Sequence, residues 1–254
     1  MSDITRLSID NSNLFKDNIG DGGVTIDEIK ALSPQLDGLR KTIKGWLDSR
    51  KATFFNLPMT MDLEEIKRKG QRISGSYRRT IVFGIGGSSL GGEMLVRTLG
   101  DKNPRNVVSF YDNVDPSTLD ELDDVDWSDT LLLVISKSGN TAETLSQFLT
   151  VLPTMEHQLG DEKIKDHVLV ITENRDGALY DLAKRLKIEI IEHPPVGGRF
   201  CVLSVVGLLP AYIGGVDIDG VIEGARAMVE RCSREDIIEN PAFYNGAAQY
   251  LHSE

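Results

Sequence analysis

The sequence predicts an α/β fold: a five-stranded parallel sheet covered by helices on both faces. Two observations carry this. Between residues 79 and 191, short β-type runs alternate with helical stretches, as in a parallel sheet. One run, Leu131-Leu132-Leu133-Val134-Ile135, is apolar without interruption, which suits a strand buried on both faces. A third observation concerns chemistry. The two unusual loops of the chain follow the first and third runs, beyond the carboxyl ends of strands, where ligands of such sheets sit.

Residues 1–24 are polar and Gly-rich and read as a loop or irregular arm. Thr25-Ile26-Asp27-Glu28 has the capping-box pattern of a helix start. Ser33-Pro34 reads as a second start, with Pro at the first helical position. Leu36, Leu39, Ile43, Trp46 and Leu47 then fall on one face at helical spacing. Another helix is expected over 61–73. Residues 80–83 form the first strand, followed by Gly84-Ile85-Gly86-Gly87-Ser88-Ser89-Leu90-Gly91-Gly92 and a helix to Leu99. Residues 107–111 are the second strand, and Asp115-Pro116 opens the next helix. The third strand is 131–135 with its helix at 141–152, and the fourth is 167–172 with a helix at 177–186. The fifth is 188–191. After Pro194-Pro195 comes Val196-Gly197-Gly198-Arg199-Phe200, then helical patterns at 201–213, 218–232 and 241–251.

Composition narrows the function classes. The chain has 254 residues, 40% of them hydrophobic, enough for a real core. Its net charge of −11 and lack of a basic stripe argue against a nucleic-acid surface. An acidic chain must bind an anionic ligand with a local cradle, because its overall field repels anions. Cys201 and Cys232 fit no metal or redox spacing, and the four His are scattered at 157, 167, 193 and 252, so no metal or cofactor is expected. Nothing at the N-terminus resembles a signal peptide. The longest apolar stretch, 202–216, holds a Pro and several Gly and is too short to span a bilayer. The expected home is the cytoplasm, away from membranes. That same stretch is too apolar for a solvated helix. A homodimer or larger assembly is therefore expected to cover it.

The richest chemistry lies in Ser136-Lys137-Ser138-Gly139-Asn140-Thr141, which leads into Ala142-Glu143-Thr144-Leu145. The first N–H groups of a helix lack internal partners, and the dipole there is positive. Hydroxyls add donors, Gly139 permits close backbone approach and Lys137 adds charge. Two readings stand: an anion cradle, or hydroxyls that merely cap the helix. A cap needs one such residue, and this loop supplies five. The 84–92 loop fails both familiar glycine motifs. Position 89 is Ser where a dinucleotide fingerprint needs Gly, and Gly91 is followed by Gly92-Glu93 where a P-loop needs Lys and a hydroxyl. It reads either as a tight turn presenting Ser88 to a ligand or as close strand–helix packing. Arg199 reads as a ligand group or as a surface ion-pair residue. Lys137 reads as a site cation or as the partner of an acid. His193, just after the fifth strand, reads as structural.

Together, GIGGSSLGG after the first strand, SKSGNTAET after the third and VGGRF after the fifth resemble the phosphoglucose isomerase family. SKSGNTAET alone is the signature of the wider sugar-isomerase (SIS) domain. The resemblance covers roughly 79–251. It implies a three-layer α/β/α SIS domain with a flavodoxin-like sheet over 76–214. It also implies a helical appendage over 1–75 and linking helices over 215–254 that lead toward a second SIS subdomain. It implies aldose–ketose isomerisation of glucose 6-phosphate and fructose 6-phosphate through a cis-enediol. Ser88, Ser136, Lys137, Ser138, Thr141 and Thr144 would surround the sugar phosphate, Lys137 largely through its backbone. Gly87 and Gly198 would line the sugar, and Arg199 would stabilise the enediolate, a preorganised electrostatic role.

There are departures. Cys201 stands where the family usually has Ser or Thr, and Pro195 where a small polar or acidic residue is common. The glutamate that carries the proton belongs to a later E-S-N-G-K-like motif that does not occur here. Glu192 and His193 are the only nearby substitutes, and Glu143 better serves its helix N-terminus. The chain thus looks like the first half of the enzyme, partnered by a second copy or a complementary half. The rival reading is a phosphosugar-binding module without turnover. A dinucleotide-dependent enzyme is disfavoured by Ser89.

Overall fold

The structure is a computed structural model that describes residues 7–49, 53–173 and 176–253. Five parallel strands form one sheet: β1 (Arg79–Phe83), β2 (Val107–Tyr111), β3 (Thr130–Ile135), β4 (Val168–Thr172) and β5 (Glu189–Glu192), in the order β2-β1-β3-β4-β5. The helices are α1 (Lys16–Ile19), α2 (Ile26–Ala31), α3 (Ser33–Asp48), α4 (Thr53–Thr60), α5 (Leu63–Ser76), α6 (Leu90–Leu99) and α7 (Pro116–Asp120). They continue as α8 (Ala142–Leu159), α9 (Ile164–His167), α10 (Ala178–Arg185), α11 (Val205–Ile213), α12 (Ile218–Cys232) and α13 (Pro241–Ser253). The chain divides into two compact units, Thr60–Asp219 and Met1–Met59 with Gly220–Glu254.

In the sheet unit, all six residues of β3 are buried, as its uninterrupted apolar run requires. Ile81, Phe83, Leu132, Val134 and Val170 alternate onto one face and meet Phe148 and Met155 of α8 and Leu179 of α10. The other face carries α11, which packs on β1 and β2 and against α5 and α6. Each fully buried Leu, Ile or Phe contributes roughly 1.5–3 kcal/mol, so a strand buried on both sides anchors the unit. The unit includes α5, which begins at the Asp62 cap well before residue 76.

One sequence expectation is overturned here. The apolar segment 202–216 leaves no bare patch: Val206, Leu208, Leu209, Ala211, Ile213 and Val216 are all buried within the sheet unit. Glycines on the neighbouring helices make room. A Cβ at Gly70 would lie 2.3 Å from the Tyr212 ring, and one at Gly92 would lie 3.0 Å from Pro210. The segment therefore gives no reason to expect a dimer. Helix α8 also runs past 152 through Pro153, which gives up the bond to the carbonyl of Leu149, a residue on an exposed face.

In the other unit, the capping box forms as read: Thr25 Oγ1 accepts from Glu28 N at 3.2 Å and Thr25 N donates to Glu28 Oε2 at 2.7 Å. A small core of Val24, Ile29, Ile237, Tyr244, Ala247 and Ala248 joins α2 and α13. The α3 stripe is only partly used. Leu36 packs on that core, whereas Leu39 and Trp46 are 44% and 45% exposed. The expected arm over 1–24 holds short helical turns and a Phe15–Val24 bridge in its described part, and residues 1–6 lie outside the described residues.

Candidate functional site

The strand order reverses direction between β1 and β3. This is the topological switch point, where open parallel sheets bind ligands at the carboxyl ends of strands. The 84–92 and 136–141 loops leave the sheet there, side by side.

The loop after β3 is held by backbone. Ser136 N donates to Ile171 O at 3.0 Å, and Gly139, at φ +67°, turns back to donate to Ser136 O at 3.2 Å. Lys137 O accepts from Glu173 N at 3.0 Å and from Thr172 Oγ1 at 3.4 Å. The side chains are divided between two tasks. Asn140 Oδ1 accepts from Ala178 N at 3.0 Å and so caps α10. Ser138 Oγ accepts from Asn140 N at 3.2 Å. Thr141 is the N-cap residue of α8, yet its hydroxyl makes no capping bond and instead meets Ser136 Oγ at 2.9 Å. The capping reading therefore fails at the place where it mattered most. The first turn of an 18-residue helix keeps its N–H groups free of a side-chain cap, which is the condition for anion binding. Ser138 is exposed and Thr141 half-buried, whereas Ser136 and Thr144 are buried, Thr144 Oγ1 without a partner among the described residues.

The loop after β1 is built for approach. Gly86 has φ +59°, and a Cβ at Gly87 would lie 2.1 Å from the carbonyl oxygen of Gly198. The first and third motifs thus touch backbone to backbone. Cys201 Sγ lies 3.1 Å from Gly87 O and 3.0 Å from Gly198 O, so the thiol bridges the two loops at the position where a hydroxyl was expected. Burial pushes this thiol's pKa up, which keeps it protonated and a donor. Ser88 is half-exposed in the turn Gly86–Ser88, and Ser89 is buried with its hydroxyl on Gly86 O at 3.3 Å. Arg199 is exposed on the turn Gly198–Phe200 and makes no ion pair among the described residues.

Lys137 does pair with an acid, Glu173, at 3.4 Å. Its ammonium also lowers the pKa of His193 and of Cys201. His193 is buried, and its Nδ1 lies 2.7 Å from Pro194 O. A carbonyl only accepts, so Nδ1 carries the hydrogen and Nε2 is a lone pair, buried and without a partner among the described residues. Burial lowers the His193 pKa and Lys137 adds to this, while the Pro194 bond and Glu173 oppose it, so the imidazole is neutral near pH 7. Glu192 is exposed at the end of β5. Thr172 and Glu173 escaped sequence reasoning, although their place at the carboxyl end of β4 is the position that made the other loops stand out.

A doubly wound parallel sheet with its polar loops gathered at the switch point defines the class, an α/β protein with an uncapped helix N-terminus open for an anion. The chain belongs to the phosphoglucose isomerase family, whose model matches residues 61–246. It is 36% identical to the glucose-6-phosphate isomerase of Carboxydothermus hydrogenoformans, over 97% of this chain and 55% of that protein. It is 38% identical to the glucose-6-phosphate isomerase of Methanocaldococcus jannaschii, over 70% of this chain and 43% of that one. Among solved structures it resembles a hypothetical protein of Thermus thermophilus (TM-score 0.80, 29% identity), over 89% of this chain and 55% of the other. The fold also matches a glucose-6-phosphate isomerase of Chlamydia trachomatis (TM-score 0.62, 21% identity), over 74% of this chain and 36% of that one. The chain spans about half the length of the curated relatives it matches.

Proposed function

We propose that this chain is the phosphosugar-binding half of an aldose–ketose isomerase that interconverts glucose 6-phosphate and fructose 6-phosphate in the cytoplasm. The observation that carries the reading is the uncapped N-terminus of α8, ringed by hydroxyls at the switch point. The phosphate is held by the first-turn N–H groups with Ser88, Ser136, Ser138, Thr141 and Thr144, and by Lys137 largely through its backbone. Gly87 and Gly198 admit the sugar along bare backbone. Arg199, free of any ion pair among the described residues, faces the charge that develops on the enediolate, and preorganised charge of that kind lowers the barrier most.

Proton transfer between C2 and C1 needs a base within about 2.6–3.2 Å of the carbon-bound proton's path. Among the described residues of the three motifs no carboxylate stands ready: Glu173 is paired with Lys137, Glu143 follows the loop inside α8, and the nearby substitutes are Glu192, exposed at the end of β5, and His193, buried. The base therefore comes from a complementary half, corresponding to the part of the relatives that this chain does not span, with residues 215–254 leading toward it. Calorimetry with fructose 6-phosphate, and a coupled turnover assay with and without the remaining half of the Carboxydothermus protein, test this. The chain alone is expected to bind the sugar phosphate and to turn over about 10²–10⁴-fold more slowly than the reconstituted pair. Absence of sugar-phosphate binding overturns the reading. Full turnover by the chain alone, or by a homodimer of it, overturns the complementary half.

A further inference from the structure

We propose that Glu173 is the counter-ion that sets the charge of the phosphate loop: by pairing with Lys137 it leaves a bound phosphate to neutral donors. The inference rests on reading 136–144 as that loop. Lys137 stands between Ser136 and Ser138, the one cation within the motif. An unpaired ammonium there would add its full attraction to a dianion already met by helix N–H groups. Glu173 Oε1 lies 3.4 Å from Lys137 Nζ, and the carboxylate side chain is only 17% exposed. A half-sheltered pair is screened less by salt and water than a surface pair. The same ammonium lowers the pKa of His193 and of Cys201.

Two bonds that hold the loop do not use the carboxylate. The bonds that fix Lys137 come from the backbone N–H of Glu173 and the hydroxyl of Thr172, both received by Lys137 O. Glu173→Gln therefore changes the charge beside Lys137 while keeping both of those bonds. The functional sense follows from differential binding. Attraction felt equally by substrate and transition state tightens binding without speeding the chemical step and slows release. A neutralised loop grips the phosphate by directional bonds and lets product go.

The test is a double-mutant cycle read by titration calorimetry with inorganic phosphate, with thermal melts confirming that every variant is folded. Glu173→Gln should bind phosphate about five-fold tighter, the size expected from freeing one partly screened charge near the ligand. This gain should shrink as salt is raised. Lys137→Met, which removes the ammonium and keeps the Glu173 carboxylate beside the dianion, should bind about five-fold weaker or worse. The double variant should return to within about two-fold of the unaltered chain, because the two charges cancel. Glu173→Asp, which keeps the charge, should stay near the unaltered chain. Unchanged or weaker binding by Glu173→Gln, or a double variant as weak as Lys137→Met, overturns the proposal while the loop reading stands. An unaltered chain that binds no phosphate sinks the loop reading, and this inference falls with it.

Discussion

The two loops at the switch point solve opposite problems. The loop after β1 contains Gly84, Gly86 and Gly87, and its backbone is pressed against the Gly198 turn so closely that a Cβ at Gly87 would meet a carbonyl oxygen at 2.1 Å. The loop after β3 contains Ser136, Ser138, Asn140 and Thr141, and its helix start is left without a side-chain cap. One loop gives up side chains so that two backbones can meet, and the other keeps polar side chains around an uncapped helix start. Glycine-rich and hydroxyl-rich loops at equivalent strand ends are therefore not two copies of one device. In the proposed site the first would shape the wall and the second would supply hydrogen bonds.

Substitution at Gly87 should show the largest effect. Gly87→Ala places a methyl group against backbone, which cannot rotate away, so both loops must move. Overpacking of this kind costs about 1–3 kcal/mol of stability and occasionally more. Phosphate and sugar-phosphate binding should fall at least ten-fold with it. Gly86→Ala is the control. Nothing lies within 4 Å of a Cβ there, and only the φ of +59° is strained, so the loss should be roughly 1 kcal/mol with the wall intact. Equal effects at the two positions, measured by denaturant melts and calorimetry, would mean that the contact with Gly198 does not shape the site.

In the hydroxyl loop the expected damage is to binding more than to stability. Thr141→Val keeps shape and removes one hydroxyl that meets Ser136 Oγ at 2.9 Å and performs no capping. Phosphate binding should weaken by about 2 kcal/mol, the worth of one hydrogen bond to a charged group. Stability should fall by about 1 kcal/mol, from the bond lost to buried Ser136 and not from a lost cap. A large fall in stability with unchanged phosphate affinity would return the loop to the capping reading.

The sheet was legible because its signals are local. Residues 107–111 bound β2 in sequence and structure alike, and β3 differs from its expected span by Thr130 alone. Contiguous apolar residues and the turn residues after them are read from a few neighbours. Helix α4 was not expected, since Pro58 lies inside it and proline marks a break in a linear reading. The burial of 202–216 was missed for a different reason. It depends on Gly70 and Gly92, which lie on α5 and α6 more than a hundred residues away and carry no sign of the ring and proline they accommodate. In the site, the motifs pointed to the hydroxyls of 136–141. The pairing of Lys137 with Glu173, and the use of Asn140 to cap α10, required the β4 end to be laid beside the β3 end.

The smallest expected effect tests a division of tasks within the hydroxyl loop itself. Asn140 belongs to the motif, yet its Oδ1 accepts from Ala178 N, the first residue of α10. The reason lies at Gly177, the N-cap position of that helix, where a Cβ would stand 2.9 Å from Ser138 O. The loop passes too close for a capping side chain to grow from position 177, so the cap is borrowed from Asn140 across the sheet edge, and Leu179 N is satisfied by Gly139 O at 2.9 Å. Asn140→Ala should therefore cost about 1 kcal/mol of stability, the ordinary worth of an N-cap. Phosphate affinity should stay within about two-fold. Asn140→Asp separates the roles more sharply. It keeps the acceptor and adds a charge that suits a helix N-terminus, so stability should recover. The same negative charge now stands in the loop that would hold the dianion, so phosphate binding should weaken several-fold. If Asn140→Ala instead abolishes phosphate binding without lowering the melting transition, its amide is a ligand and the division between ligand donors and scaffold falls elsewhere in the loop.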